Sequence, residues 1–290
     1  VNQIYLLSVV DFKQLSRETK DEVSQITNKF KTRLIKSSPI YQQFEFESDD
    51  ISGMKKELRD LSAKYLFDFA IIDRAFTKKE KLLFIFDMDS TLVQAEVINV
   101  LADLHGVGDK TKEITKIAMN GGMSFDESLK TRLGMLKGLS RSALMHVHDK
   151  LPLSPGVETF MKRAQTLGHK TAIASGGFNF FADDLMKNLK MDYAFSNELE
   201  FENDQLTGNI VGSIVNAEAK EKLVETLSHK ESLTPHEVVS VGDGANDLLM
   251  LKKSHMGVAF HAKQTVREQA QFHINYGPMD TLLYYLGMQE

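Results

Sequence analysis

Five consecutive apolar residues, 82–86, run directly into Asp87-Met88-Asp89. A run that short and that uniformly apolar suits a strand buried on both faces of a parallel sheet. Similar runs recur at residues 171–174, 238–241 and 256–260, with helical stretches between them. The pattern predicts an α/β domain with a Rossmann-like, mostly parallel sheet. From about residue 95 to 150 the alternation gives way to helices only. Val97, Leu101 and Leu104 share one face there. Ser124-Phe125-Asp126-Glu127 has the form of a capping box, and Gly138 suits a stop for that helix. This block is expected to be a helical cap inserted after the domain's first strand.

Residues 1–76 follow a different plan. Residues 4–10, 32–35, 41–46 and 67–72 read as strands, and residues 16–30 and 51–65 as helices, with Val23, Ile26 and Phe30 at helical spacing. The order strand-helix-strand-strand-helix-strand predicts a small α+β, ferredoxin-like sandwich. The charged stretch 77–81 then reads as a linker to a larger domain, 82–290. A chain of 290 residues suits two domains. Its opening on Val1 rather than methionine leaves its true start open.

Bulk properties exclude several functions. The net charge is −5, so no basic excess exists to hold nucleic acid or an anionic membrane surface. There is no cysteine, which excludes disulfides, thiol catalysis and cysteine-bound zinc. The apolar run 4–10 is too short to cross a bilayer and lacks the basic flank of a secretory signal, so a cytoplasmic location is expected. No Gly-x-x-x-x-Gly-Lys-Ser/Thr loop and no Gly-x-Gly-x-x-Gly after the first core strand is present, which argues against P-loop and dinucleotide enzymes. The nine histidines show no zinc spacing, and His146 and His148 fall on different helix faces, as surface residues would.

Chemistry concentrates at predicted strand ends, where open α/β sheets bind ligands. Asp87 and Asp89 follow one strand. Taken alone they also suit an acidic turn. Gly242-Asp243-Gly244-Ala245-Asn246-Asp247 follows a second strand and adds two carboxylates and an amide. Four aspartates converging on one sheet edge would repel strongly without a cation and a phosphate. That constellation suits Mg²⁺, which prefers hard oxygen ligands, and a carboxylate nucleophile with a second carboxyl as general acid/base. Ser175-Gly176-Gly177, after a third strand, offers a hydroxyl and bare N–H groups to phosphate oxygens, though it also suits an ordinary turn. Lys220 sits in a charged helix where nothing local distinguishes it from Lys222. Arg132 lies at the border of an apolar stripe, as a snorkelling arginine does. Glu96 could simply begin a helix.

Taken in order, these runs resemble the haloacid-dehalogenase phosphatases, and more finely the bacterial phosphoserine phosphatases. The similarity spans about residues 82–275. It is carried by Asp87 to Leu92 with Gln94 and Glu96; by Ser124-Phe125, Ser128-Leu129, Arg132 and Leu136-Lys137-Gly138; by Ala172 to Phe178; by Asn197-Glu198-Leu199-Glu200 and Leu206-Thr207-Gly208; and by Lys220 and Gly242 to Asp247. The resemblance implies Asp87 as nucleophile and Asp89 as general acid/base. It implies Mg²⁺ held by the Asp87 carboxylate, the Asp89 carbonyl and the Asp243 carboxylate, with Asp247 supporting that shell and Lys220. Ser175, the Gly176 N–H and Lys220 would hold phosphoryl oxygens, and Asn246 would contact the phosphate side. Glu96 and Arg132 would read the amino and carboxylate groups of phosphoserine, which fits a zwitterion. The implied reaction closes serine synthesis; the alternative is a related phosphatase or phosphotransferase acting on another small phosphomonoester such as phosphohomoserine. Residues 253–257 carry Ser254-His255 where relatives have Ala-Gly, away from these residues, so only local packing should change. The N-terminal block resembles an ACT-type fold in element order. It carries Val9-Val10-Asp11-Phe12-Lys13 where such domains have a glycine, and pairing of two subunits as a homodimer is at least as apt a role for it as amino-acid sensing.

Overall fold

The computed structural model describes residues 3–119 and 121–289. The N-terminal part runs β1 (Gln3–Val10), α1 (Arg17–Lys29), β2 (Arg33–Ser37), β3 (Tyr41–Ser48), α2 (Ser52–Tyr65) and β4 (Asp68–Asp73). Its strands form an antiparallel sheet in the order β2-β3-β1-β4. Strand side chains alternate between faces. One face presents Leu7, Val9, Phe44, Phe46 and Ile71 to Val23 and Ile26 of α1 and to Met54, Leu58 and Leu61 of α2. Ser16 caps α1 by accepting the Thr19 N–H at 3.0 Å.

The other face is buried too, although it carries Ser8, Tyr41, Gln43 and Asp68. It packs against the last helix of the chain, α13 (Thr281–Leu286). The Tyr284 carbonyl there accepts from Ser8 Oγ at 3.1 Å and from the Tyr41 hydroxyl at 3.2 Å. Asp68 accepts the backbone N–H groups of Asn275, Tyr276 and Gly277 at 2.7, 3.1 and 2.6 Å. Polar residues sit inside because each finds a partner: backbone groups for Ser8, Tyr41 and Asp68, and Ser8 Oγ at 3.3 Å for Gln43.

A short helix, α3 (Arg74–Thr77), leads into residues 78–82. This charged stretch is tethered to the core: Lys79 pairs with Glu237 at 2.7 Å and Lys81 with Glu231 at 2.8 Å. The larger part then follows as β5 (Leu83–Phe86), α4 (Val97–Leu104), α5 (Gly108–Met119), α6 (Phe125–Gly134), α7 (Arg141–His148), α8 (Val157–Thr166), β6 (Lys170–Phe178), α9 (Asn179–Asn188), β7 (Tyr193–Glu202) and β8 (Gln205–Val211). It closes with α10 (Ala217–Lys230), β9 (Val238–Gly242), α11 (Leu248–Lys253), β10 (Met256–Phe260), α12 (Gln264–Arg267), β11 (Phe272–Ile274) and α13. Seven strands form one sheet in the order β11-β10-β9-β5-β6-β7-β8, parallel except for the β7–β8 pair. The α/β class and the mostly parallel sheet agree with the expectation. β5, β9 and β10 are buried along their whole length.

Three details depart from the sequence reading. The β7–β8 hairpin and β11 are strands that the apolar-run criterion misses. α6 does keep its capping box, but it ends at Gly134 rather than running to Gly138. Gly138 instead takes φ +87° and donates to the Leu206 carbonyl at 2.8 Å, so pairing with β8 ends the helical path. His148 is not a free surface residue: its Nε2 lies 2.7 Å from Asp184 on α9.

Two predictions follow from the joints. Asp68→Ala leaves three backbone donors without their carboxylate and should lower unfolding free energy by about 3 kcal/mol, measured by urea denaturation. Lys79 and Thr234 hold the Glu237 carboxyl down at about 2, against an ordinary 4.5. Its stabilising contribution is then complete above pH 4.5 and is lost as pH falls toward about 2. The stability gap between wild type and Glu237→Gln should therefore narrow over that window; a gap that stays constant would contradict it.

Candidate active site

The central strand β5 lies between β9 and β6, and its carboxyl end defines the site. Phe86 pairs in register with Val241, so Asp87 leaves β5 level with Gly242, and Asp243 follows at once. The Asp87 N–H donates to the Val241 carbonyl at 2.9 Å. Carboxylate oxygens of Asp87, Asp243 and Asp247 all come within 4.8 Å of one another. Asp247 reaches them from a tight turn after β9. Gly242 and Gly244 make that turn possible: a Cβ on Gly242 would sit 2.5 Å from the Asp247 carboxylate.

Lys220, on the first turns of α10, is completely buried between these acids. Its Nζ lies 2.7 Å from Asp87 Oδ1 and 2.7 Å from Asp247 Oδ1. Burial opposes its charge, but Asp247 and Asp87 outweigh burial and raise its pKa. Lys222, two residues on, is exposed. Asp247 uses its other oxygen, Oδ2, to accept the Gly244 N–H at 3.0 Å. Asp87 Oδ2 has no hydrogen-bond partner among the described residues.

The aspartates outnumber the lysine, and their protonation reflects it. Burial, then Asp247, pushes Asp87 up to about 8, with Lys220 pulling the other way. Burial and Asp247 push Asp243 up to about 7. Burial raises Asp89 well above the carboxylate range, helped by Glu96 and Asp87. Asp89 Oδ1 is buried without a partner, and Oδ2 accepts the Val97 N–H at 3.3 Å. Four carboxylates around one ammonium, with an orphaned buried oxygen, form a hard-oxygen set that fits a divalent cation such as Mg²⁺.

Ser175 is fully buried where β6 leaves its ladder with β7 after Ala174, and its Oγ accepts the Gly177 N–H at 2.9 Å. A Cβ on Gly177 would come 3.4 Å from Asp89 Oδ2, which places this loop against the first motif. A Cβ on Gly176 would meet the Phe125 ring at 2.9 Å, so the cap helix α6 lies directly over the loop. Asn216, the N-cap of α10, also reaches the cap, donating to Asp126 at 3.3 Å. Arg132 on α6 is buried, with its Nε on the Ser128 carbonyl at 3.3 Å and no other hydrogen-bond partner among the described residues. Burial lowers its pKa, opposed by Glu96 and Asp89. Glu96 stands exposed at the N-cap of α4, accepting from Ser90 Oγ at 3.2 Å. Asn246 sits on the turn after β9 with no side-chain hydrogen bond among the described residues.

Asp87, Asp89, Asp243, Asp247, Lys220 and the Ser175–Gly177 turn thus come together around the end of β5. Two further residues that the sequence does not single out join the site: Thr91, whose hydroxyl donates to Asp243 at 3.3 Å, and Phe125, over Gly176. No sequence signal marks them beyond their place in the motifs. A cleft of about 390 Å³ between α7, α9 and β7 includes none of Asp87, Asp89, Asp243 and Asp247; clustered charge, not volume, locates the site.

Residues 82–255 match the family model described as haloacid dehalogenase-like hydrolase, and the chain belongs to that family. Within it, the similar proteins include phosphoserine phosphatases. The chain is 41% identical over 221 residues to the phosphoserine phosphatase of Archaeoglobus fulgidus, covering 76% of this chain. It spans 64% of that relative's length. Among solved structures, a haloacid-dehalogenase family hydrolase from Salmonella enterica serovar Typhi superposes with a TM-score of 0.90 at 31% identity, covering 98% of each chain. A probable phosphoserine phosphatase from Vibrio cholerae gives 0.82 at 32% identity, covering 99% of this chain and 87% of that one.

The buried lysine yields a test. Lys220→Met removes the one cation between two buried carboxylates and should destabilise the protein by about 3–5 kcal/mol. Added Mg²⁺ should recover part of that loss in a denaturation series, because a cation can replace the lost charge.

Proposed function

We propose that this protein is a magnesium-dependent phosphatase that hydrolyses O-phosphoserine to serine and phosphate, the last step of serine biosynthesis. The observation that carries the reading is the Asp87 carboxylate. Lys220 holds one of its oxygens, and the other has no partner at the carboxyl end of the central strand. In the first half-reaction Asp87 attacks phosphorus, and an aspartyl-phosphate forms as the bond to the serine oxygen breaks. Asp89, kept protonated by burial and its neighbours, gives its proton to the departing alkoxide. In the second, water attacks phosphorus, Asp89 takes the water's proton, and the Asp87–phosphorus bond breaks.

The carboxylates of Asp87 and Asp243 and the Asp89 carbonyl would hold Mg²⁺, with Asp247 behind them, and the bound ion would neutralise charge on the phosphoryl oxygens. Ser175, the Gly176 N–H and Lys220 would hold those oxygens, and Asn246 would meet their outer side. Arg132 and Glu96 would pair with the substrate's carboxylate and ammonium, and Phe125 would help exclude water beneath the cap. The relatives' names and this charge pair together favour phosphoserine over a sugar phosphate, which needs neither charge.

Residues 1–76 are assigned to an ACT-like domain, 77–81 to a linker, and 82–290 to the catalytic domain with its cap at about 95–150. Among the described residues no helix is long and apolar enough to cross a membrane, and we place the enzyme in the cytoplasm. The N-terminal sheet has one face under its helices and the other under α13, which leaves the exposed edge strand β2, with Leu34 and Ile35, as the surface for pairing two copies in a homodimer.

Asp87→Asn should lower phosphoserine turnover by about 10³-fold or more, while calorimetry still detects phosphoserine binding; near-full activity in this variant would refute the mechanism. Chelation should abolish phosphate release and Mg²⁺ restore it. Across phosphorylated amino acids and sugars, with and without acceptor alcohols, phosphoserine with water should be preferred.

A further inference from the structure

Asn197 is fully buried on β7, and none of the steps above uses it. Its carboxamide joins two separate segments. Nδ2 donates to the Gly176 carbonyl at 2.8 Å, and Oδ1 accepts the Val215 N–H at 2.8 Å. These segments carry Ser175 and Lys220. The need for such a joint is visible in the sheet. β6 and β7 pair from Ala172↔Tyr193 to Ala174↔Phe195, then lose register until Phe178↔Asn197. Residues 175–177 therefore leave the ladder, and the Asn197 side chain takes the Gly176 carbonyl in place of a strand partner.

The consequence reaches the reacting group. The Gly176 carbonyl and the Gly177 N–H belong to one planar peptide. Asn197 holds that plane by its carbonyl, and the Gly177 N–H on the opposite side donates to Ser175 Oγ at 2.9 Å. A hydroxyl that accepts there keeps its own proton free to donate elsewhere. At the other end, Val215 immediately precedes Asn216, whose Oδ1 caps α10 by accepting the Ala219 N–H at 3.1 Å. Lys220 stands on that first turn.

We propose that Asn197 is a positioning residue for phosphoryl transfer. It fixes the Ser175 and Gly176 donors and the Lys220 helix in one relation, so that their donors converge on one phosphoryl group without rearrangement. The proposal rests on phosphomonoester hydrolysis at Asp87 but not on serine as the alcohol. The role requires a donor and an acceptor on one short side chain. Aspartate keeps the shape and the acceptor but loses the donor to Gly176.

The experiment compares wild type with Asn197→Asp and Asn197→Ser, each with Mg²⁺, measuring melting temperature, kcat and KM for phosphoserine, and inhibition by orthovanadate and by serine. Orthovanadate reports on the phosphoryl pocket, and serine on the Glu96–Arg132 end. The expected result is that orthovanadate inhibition weakens and kcat falls by about 10- to 100-fold, with serine inhibition within about twofold of wild type. Unchanged orthovanadate inhibition and kcat in a folded variant would overturn the proposal, as would equal weakening of both inhibitors. If Asn197→Asp does not fold, Asn197→Ser decides; if neither folds, Asn197 is a folding residue and the proposal falls. A wild-type protein that binds orthovanadate but does not hydrolyse phosphoserine would count against the substrate assignment, and the orthovanadate affinities of wild type and variants would then decide the proposal.

Discussion

A lysine ammonium held out of solvent between two aspartates organises the catalytic end of this protein. Burying Lys220 alone would be prohibitive, and burying Asp87 beside Asp243 and Asp247 alone would be equally so. Each is tolerated because of the other, at 2.7 Å contacts that also fix which Asp87 oxygen is left over. The lysine does not balance the whole cluster. Burial first, and then the neighbouring carboxylates, raises the pKa values of Asp87, Asp89 and Asp243, and such a crowded oxygen set fits a divalent cation. Stability and chemistry meet in the same residues.

The fold's task is to bring distant segments to that point. The strand order puts β9 and β6 on either side of β5, so three loops from separate parts of the chain open on one edge. The helices inserted between β5 and β6 bring Phe125 over Gly176. They are tied back through the β7–β8 hairpin, where Leu206 bonds Leu139 and Gly138, and through His148 to α9. The N-terminal sheet is anchored on the opposite flank by Asp68 and by α13, which covers the face that a free-standing domain of this order would leave open. This arrangement makes the N-terminal part a packed extension of the core.

Much of this could be read before the structure, for definite reasons. Strands buried on both faces are mostly apolar, so β5, β9 and β10 stand out in the sequence, and the aspartates that follow β5 and β9 come with them. Lys220 could not be told from Lys222 by any local property. Only the packing of α10 under the turn at Asp247 buries one and exposes the other. Arg132 on α6 was ambiguous for the same reason. The β7–β8 hairpin escaped because its residues mix charged and apolar types at a sheet edge. Asn197 was noticed only as part of a motif, since a side chain that replaces a missing ladder bond has no pattern in sequence. The inner face of the N-terminal sheet has no such signal: Ser8 and Asp68 are buried because backbone groups near the chain's end satisfy them, and Gln43 because it donates to Ser8 Oγ.

The central claim is that phosphate passes through Asp87. Reacting the Mg²⁺-loaded enzyme with phosphoserine radiolabelled on phosphorus, quenching in acid within a turnover and mapping the labelled peptide tests it most directly. The account predicts acid-stable, base-labile label on the peptide containing Asp87, and on no other. Full turnover with no labelled protein at any quench time, or label on a different residue, would contradict it.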